Sequence, residues 1–250
     1  MELKDGTMKT TFIMMAAMLS GPAAALAQDD GVKGQWSVTA TGGASVVAGG
    51  EFHEGGVGTV LGLPTSVGAR NNKDIFDPAV GWRAGLGYGV SENVEIFGDF
   101  AWTRASASEL SVGTVATLDL RARFGDYTSY GMDAGMRYHF APAARVNPYV
   151  AALAGFRRVD AIPGTFTVPA AGVTLADTPF FRDSTVPVFG GDAGVLFSVS
   201  PRVSLGVEGG LRYHTDLSQI EGLAGTGLEN LNDAGSGWSV PITGVVRFRF

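Results

Sequence analysis

The 250-residue chain has no cysteine, which removes disulfide staples and thiolate-bound metals and leaves stability to the fold itself. Histidine is scarce, with only His53, His139 and His214, so there is little material for a metal centre or an acid–base relay. Basic residues are outnumbered, 18 Lys and Arg against 24 Asp and Glu, for a net charge of −6. That balance, with no basic stripe, argues against nucleic acid as a partner. After Ala27 no apolar stretch approaches the ~20 residues that a membrane-spanning helix needs. A phosphate-cradling glycine loop and a zinc-binding helix motif are also missing.

What is present begins with an export signal. Lys4 and Lys9 precede the apolar run from Phe12 to Leu19, and a small-residue stretch ends at Ala25-Leu26-Ala27. This pattern predicts a secretory signal peptide over residues 1–27, cleaved to leave Gln28 first. Glu2 and Asp5 dilute the basic region and favour Met8 as the start. No Pro/Ser linker or charge block divides the remainder, which reads as one domain over residues 28–250.

That domain alternates with period two, the mark of strands with one apolar and one polar face. Trp36, Val38, Ala40, Ala44 and Val46 alternate with Ser37, Thr39, Thr41 and Ser45. Val80, Trp82, Ala84, Leu86 and Tyr88 oppose Gly81, Arg83, Gly85, Gly87 and Gly89. Further strands are expected near 94–103, 130–140, 148–158, 189–199, 203–214 and 238–250, although the faces of the fifth are not separable. Short turns fall at Ser91–Asn93, near 141–147 and at Ser200–Arg202, whereas long connections fill about 47–79, 105–129, 159–185 and 215–237. The alternation predicts an all-β fold, an eight-stranded antiparallel up-and-down barrel with turns on one side and four long loops on the other.

A soluble barrel has the same period with its apolar face inward. The polar faces decide between them, because they carry Gly81, Gly85, Gly87, Gly89, Gly131, Gly135, Gly206 and Gly210. Glycine weakens a solvent-facing strand but makes room inside a narrow lumen. Aromatic residues collect at the strand ends, with Trp82, Trp102, Tyr130, Tyr213 and Trp238 at the outer end as interfacial anchors. Tyr88, Tyr138, Phe140, Phe197 and Phe250 mark the opposite end, beside the short turns. The barrel is therefore expected to span a membrane with charged residues inside.

The glycine-rich strand Gly81-Trp82-Arg83-Ala84-Gly85-Leu86-Gly87-Tyr88, the segment Asn147-Pro148-Tyr149-Val150 and the last strand Gly244-Val245-Val246-Arg247-Phe248-Arg249-Phe250 resemble the small outer-membrane barrels of Gram-negative bacteria, OmpA-like and opacity-type surface proteins. The resemblance implies location in the cell outer membrane and contact with its lipid and lipopolysaccharide. It also implies an assembly signal at Phe248 and Phe250, read by the barrel-assembly machinery. It specifies architecture better than activity, and no cell-wall-binding domain is implied after Phe250.

Hairpin pairing around Ser91–Asn93 puts Asp99 opposite Gly85 and diagonal to Arg83. Asp192 likewise falls opposite Gly210 and diagonal to Arg212 and Glu208. A lumenal ion-pair network of Arg83, Glu95, Asp99, Asp133, Arg137, Asp192, Glu208 and Arg212 is expected. It serves as a polar plug or, alternatively, as the gate of a narrow porin-like channel. Catalysis is not expected. His139 lies at the periplasmic end, and His214 with Thr215 and Asp216 lacks a second element of a triad. Glu51, His53 and Glu54 have a spacing common in loops, so neither metal nor cofactor is implied. The loops, with isolated apolar residues such as Leu61, Phe76 and Phe166, are the expected site of contact with an extracellular ligand.

Overall fold

The computed structural model describes residues 31–250 apart from 61, 220–226, 229–230 and 233–234. The expected signal peptide and Leu61 lie outside the described residues. In chain order, β1 spans Trp36–Gly49, β2 Glu51–His53, β3 Gly56–Val60, β4 Leu63–Val67 and β5 Arg70–Asn71. The one-turn helix α1 (Asn72–Ile75) leads into β6 (Ala79–Gly89) and β7 (Val94–Ala105). Next come β8 (Leu110–Val115), β9 (Leu118–Phe124), β10 (Tyr127–His139) and β11 (Val146–Val159). The chain ends with β12 (Ile162–Val168), β13 (Val173–Phe181), β14 (Ser184–Ser198), β15 (Val203–His214) and β16 (Gly237–Arg249).

Eight of these strands close a barrel in the order β1-β16-β15-β14-β11-β10-β7-β6. Every neighbouring pair is antiparallel, so the topology is up-and-down. Closure is completed at the end with the short turns, where Trp36 and Phe250 exchange two backbone hydrogen bonds of 3.0 Å. The apolar faces point out: Val80, Leu86, Met132, Met136, Phe156, Phe189 and Ile242 are all at least half exposed, whereas Glu95, Asp133, Arg137 and Glu208 are buried inside. Water would penalise that much exposed apolar surface. Lipid reverses the preference, and closure leaves no strand edge unpaired in hydrocarbon.

The outer aromatics sit in register. Trp82 pairs with Trp102, which pairs with Tyr130, and the Tyr213 and Trp238 rings lie 4.8 Å apart. On the β11 side the structure separates the two faces that the sequence left mixed. Asn147, Tyr149, Leu153 and Arg157 are buried inward, and Val150 and Phe156 point out.

One ladder is incomplete. β15 and β16 keep a single register from Val203–Phe248 to His214–Gly237, yet the pairs Gly210–Pro241 and Leu211–Val240 drop out. Pro241 remains paired with Ser45 on its other side. Proline has no N–H, and this register turns the missing donor toward β15. The Gly210 carbonyl therefore lacks its ladder partner just below the Tyr213–Trp238 belt.

The long connections differ from irregular, change-tolerant loops. Three of them contribute β3, β4, β8, β9, β12 and β13 to a six-stranded sheet in the order β13-β12-β9-β8-β4-β3, and β2 pairs with β5. This cap has its own apolar core. Alternation again explains it: in β9, Leu120, Ala122 and Phe124 are buried while Asp119, Arg121 and Arg123 face water. Phe52 is fully buried against Phe124 (4.7 Å between ring centroids), Phe181 (5.2 Å), Phe76 (5.3 Å) and Phe180 (5.7 Å). Phe76 and Phe166, isolated in the sequence, both join this core. The fourth connection is tied in by backbone and amide contacts, Glu54 N–H to the Leu231 carbonyl (3.0 Å) and Asn232 Nδ2 to the Phe180 carbonyl (3.0 Å).

Candidate functional site

Two features stand out as candidates for function: the charged lumen and the folded cap above it. The lumen is built by the inward positions of the eight barrel strands, and glycine makes the space. Gly85 lies opposite Asp99 and Gly210 opposite Asp192, and a Cβ at either glycine would run into the facing carboxylate.

Near the short-turn end of the barrel a single carboxylate organises four donors. Glu95 accepts from Ser37 Oγ (2.5 Å), Arg137 (3.1 Å) and Arg247 (2.6 Å), and His139 Nε2 lies 3.0 Å from it. The Asn147 amide is 3.0 Å from His139 Nδ1. Arg137 also lies over the Phe97 ring, 4.7 Å from its centroid, which adds a cation–π contact in a desolvated place.

Arg83 dominates the middle layer. Its guanidinium contacts Glu208 and is 3.3 Å from Asp192 and 3.9 Å from Asp99. The Tyr149 hydroxyl donates to Glu208 (2.8 Å), and Arg212 pairs with Asp192 (2.7 Å). Toward the cap, Arg157 grips Asp133 through two hydrogen bonds of 2.7 and 2.6 Å. Such forked pairs are the stronger form of the interaction.

All eight residues of the expected network line the lumen, but the partners extend beyond that set. Asp133 is held by Arg157, and Glu95 also engages Arg247 and His139, none of which belonged to the set. Arg83 reaches across the lumen to β14 and β15 as well as to its hairpin neighbour Asp99. The signal for Arg157 was the alternation Asn147, Tyr149, Leu153, Arg157, obscured by alanines on the other face. Arg247 stood on the polar face of the last strand, yet no tight hairpin in the sequence pointed it at Glu95.

The two outer histidines do not form chemical centres. The described partners of His214 are the Thr215 carbonyl (3.1 Å) and the stacked Tyr127 ring. His53 donates from Nδ1 to the Glu54 carbonyl (3.0 Å) and is enclosed near Phe52, Phe124 and Phe180. Burial there holds its pKa below the ordinary value. Glu51 and Glu54 are exposed instead, and the described residues contain no metal-binding cluster. On the water-facing side of the cap, hydrogen bonding lowers two carboxyl pKa values, that of Asp119 through Ser111 and Arg121 and that of Asp126 through Arg104.

The fold is a closed barrel of eight antiparallel strands. Neither a protein-family model nor a curated protein matches the chain. Among solved structures it is similar to Neisserial surface protein A, NspA, at 15% identity, covering 87% of this chain and 98% of that one with a TM-score of 0.44. It is similar to Ail, the attachment invasion locus protein of Yersinia pestis, at 15% identity, 87% and 99% coverage and a TM-score of 0.41. The outer membrane protein OprG of Pseudomonas aeruginosa is 10% identical, with 88% and 98% coverage and a TM-score of 0.46.

Proposed function

We propose that the protein is a surface protein of the bacterial outer membrane, in which the barrel is a closed anchor and the cap is a folded platform for contact with an extracellular partner. The observation that carries this reading is the cap itself. Connections that serve only to join strands have no need of a shared six-stranded sheet or an aromatic core around Phe52. The lumen supports the anchor role, since its carboxylates are engaged by guanidinium or imidazole groups at short range and an eight-stranded interior leaves little width for water. No catalytic role is proposed.

In this reading the outward apolar band contacts lipid, the outer aromatic belt lies at the level of lipopolysaccharide, and Phe248 and Phe250 present the assembly signal to the barrel-assembly machinery. Electrophoretic migration of heated and unheated membrane fractions, together with planar-bilayer conductance of the refolded protein, tests the anchor. Heat-modifiable migration without steady conductance is expected. Steady conductance that changes in Arg83→Gln would replace the closed anchor with a narrow channel, and absence from the outer membrane would overturn the location.

A further inference from the structure

The last residue of β10 meets two neighbours with opposite demands. His139 is fully buried at the short-turn end of the lumen. Its Nε2 lies 3.0 Å from Glu95 Oε2 and 3.0 Å from Arg247 Nη1. A guanidinium only donates and a carboxylate only accepts. One ring nitrogen therefore serves one of them at a time: without a proton it accepts from Arg247, and with a proton it donates to Glu95.

The groups around the ring decide which state is at rest. Glu95 on β7 already accepts from Ser37 on β1, Arg137 on β10 and Arg247 on β16. Arg247, by contrast, has its Nε buried without a partner among the described residues. Nε2 thus does more as an acceptor for Arg247 than as a fourth donor to Glu95. The neutral ring then carries its proton on Nδ1, which faces the Asn147 amide of β11 at 3.0 Å, and an amide oxygen accepts there. Tyr149, also on β11, packs its ring 5.9 Å from the imidazole and gives its hydroxyl to Glu208. Arg249 stands two residues beyond Arg247 on the same face of β16. His139 is therefore surrounded by three guanidiniums and one carboxylate among the described residues. A proton on the ring adds a fourth cation, and like charges at this range repel.

We propose that His139 is a proton-operated latch on the last strand. Neutral, it accepts from Arg247 and holds β16 to β10 across the lumen. Protonated, it turns the same nitrogen to Glu95, and Arg247 withdraws from what is now a second donor. The end of the barrel seam lies directly beyond Arg247, where the Arg249 N–H binds the Arg202 carbonyl (2.8 Å) and the Phe250 N–H binds the Trp36 carbonyl (3.0 Å). Imidazole ordinarily changes charge between about pH 5 and 8, so mild acid is the trigger. The latch works from the lumen and is independent of any partner of the cap.

The test is NMR of the refolded protein with 15N-labelled histidine in nanodiscs of zwitterionic lipid, together with amide exchange measured at pH 7.5 and pH 5. At pH 7.5 the His139 ring should be neutral with its proton on Nδ1, and by pH 5 it should carry two protons. Losing a hydrogen bond between a charged donor and the ring is worth at least about tenfold. Protection of the Arg249 and Phe250 amides, relative to the intrinsic rate at each pH, should therefore fall by at least about tenfold in acid while that of Gly244 holds. His139→Gln, which cannot take up the proton, should lose this response, and it separates the latch from titration of His53 and His214. If His139→Gln does not fold, the ring tautomer and the amide protection of the parent protein still decide. The proposal is overturned by any form other than Nδ1–H at pH 7.5, by a ring still neutral at pH 5, by unchanged protection of Arg249 and Phe250, or by an equal fall in folded His139→Gln.

Discussion

Replacing Phe52 by alanine should open the cap and leave the barrel closed. Phe52 is fully buried, and four phenylalanine rings lie within 4.7–5.7 Å of it. Truncating a buried Phe costs about 3–5 kcal/mol, because burial is lost and the neighbours only partly fill the void. At a factor of ten per 1.4 kcal/mol, the open population of the cap should rise by roughly 100- to 4,000-fold. The barrel ladders do not contain Phe52, so heat-modifiable migration should persist. Limited trypsin digestion of the refolded protein reads the cap directly through Arg121 and Arg123, which sit in β9 and become cleavable when that strand leaves its sheet. Where opening is fast relative to cleavage, the rate follows the open population. Phe156→Ala is the control, since that side chain is half exposed on the outer face of the barrel. Cleavage of Phe52→Ala within about threefold of the parent, or equal acceleration by both variants, would refute the idea that this aromatic core holds the cap.

Glu95→Ala should be among the most damaging changes in the lumen, because it leaves Arg137 and Arg247 without their shared carboxylate; breaking a buried pair costs about 3–5 kcal/mol, and the urea midpoint of the barrel in lipid vesicles should fall accordingly. Pro241→Val restores the N–H facing the Gly210 carbonyl, so the amide restored at position 241 should exchange as slowly as its ladder neighbours and stability should rise by about 1 kcal/mol; fast exchange of that amide would count against proline as the cause of the gap. Acid should loosen the cap through His53. Its folded pKa lies below the ordinary 6.5, so the unfolded cap takes up the proton first, and stability is complete above about pH 6.5 and declines as pH falls below it. Thermolysin cleavage should therefore accelerate between pH 7 and pH 5.5 and do so less in His53→Gln.

The barrel was legible in the sequence because lipid imposes a simple rule on every strand: apolar out, polar or small in. Leu86 and Met136 obey it as plainly as Gly85 and Asp133, and turn length supplied the pairing of neighbours. That rule also fixed Asp99 opposite Gly85 and Asp192 opposite Gly210, since a tight hairpin sets register locally. It was silent on contacts across the lumen, such as Arg83 with Glu208 or Glu95 with Arg247, which depend on barrel closure rather than on any hairpin. The cap was missed for a different reason. Its strands are short and interrupted by glycine and proline, and its apolar residues Phe52, Phe76, Phe124 and Phe181 are scattered over three connections, so no window of sequence contains enough of the core to reveal it. A phenylalanine that is isolated in a long surface connection has little to gain from water, and here the rings of three connections meet around Phe52. The same logic links the two candidate features. Phe52 and Phe76 of the aromatic core also line a cavity of about 70 Å3 with Tyr127, His214 and Leu217, so loosening Phe52 should alter that space at the barrel mouth as well as the surface above.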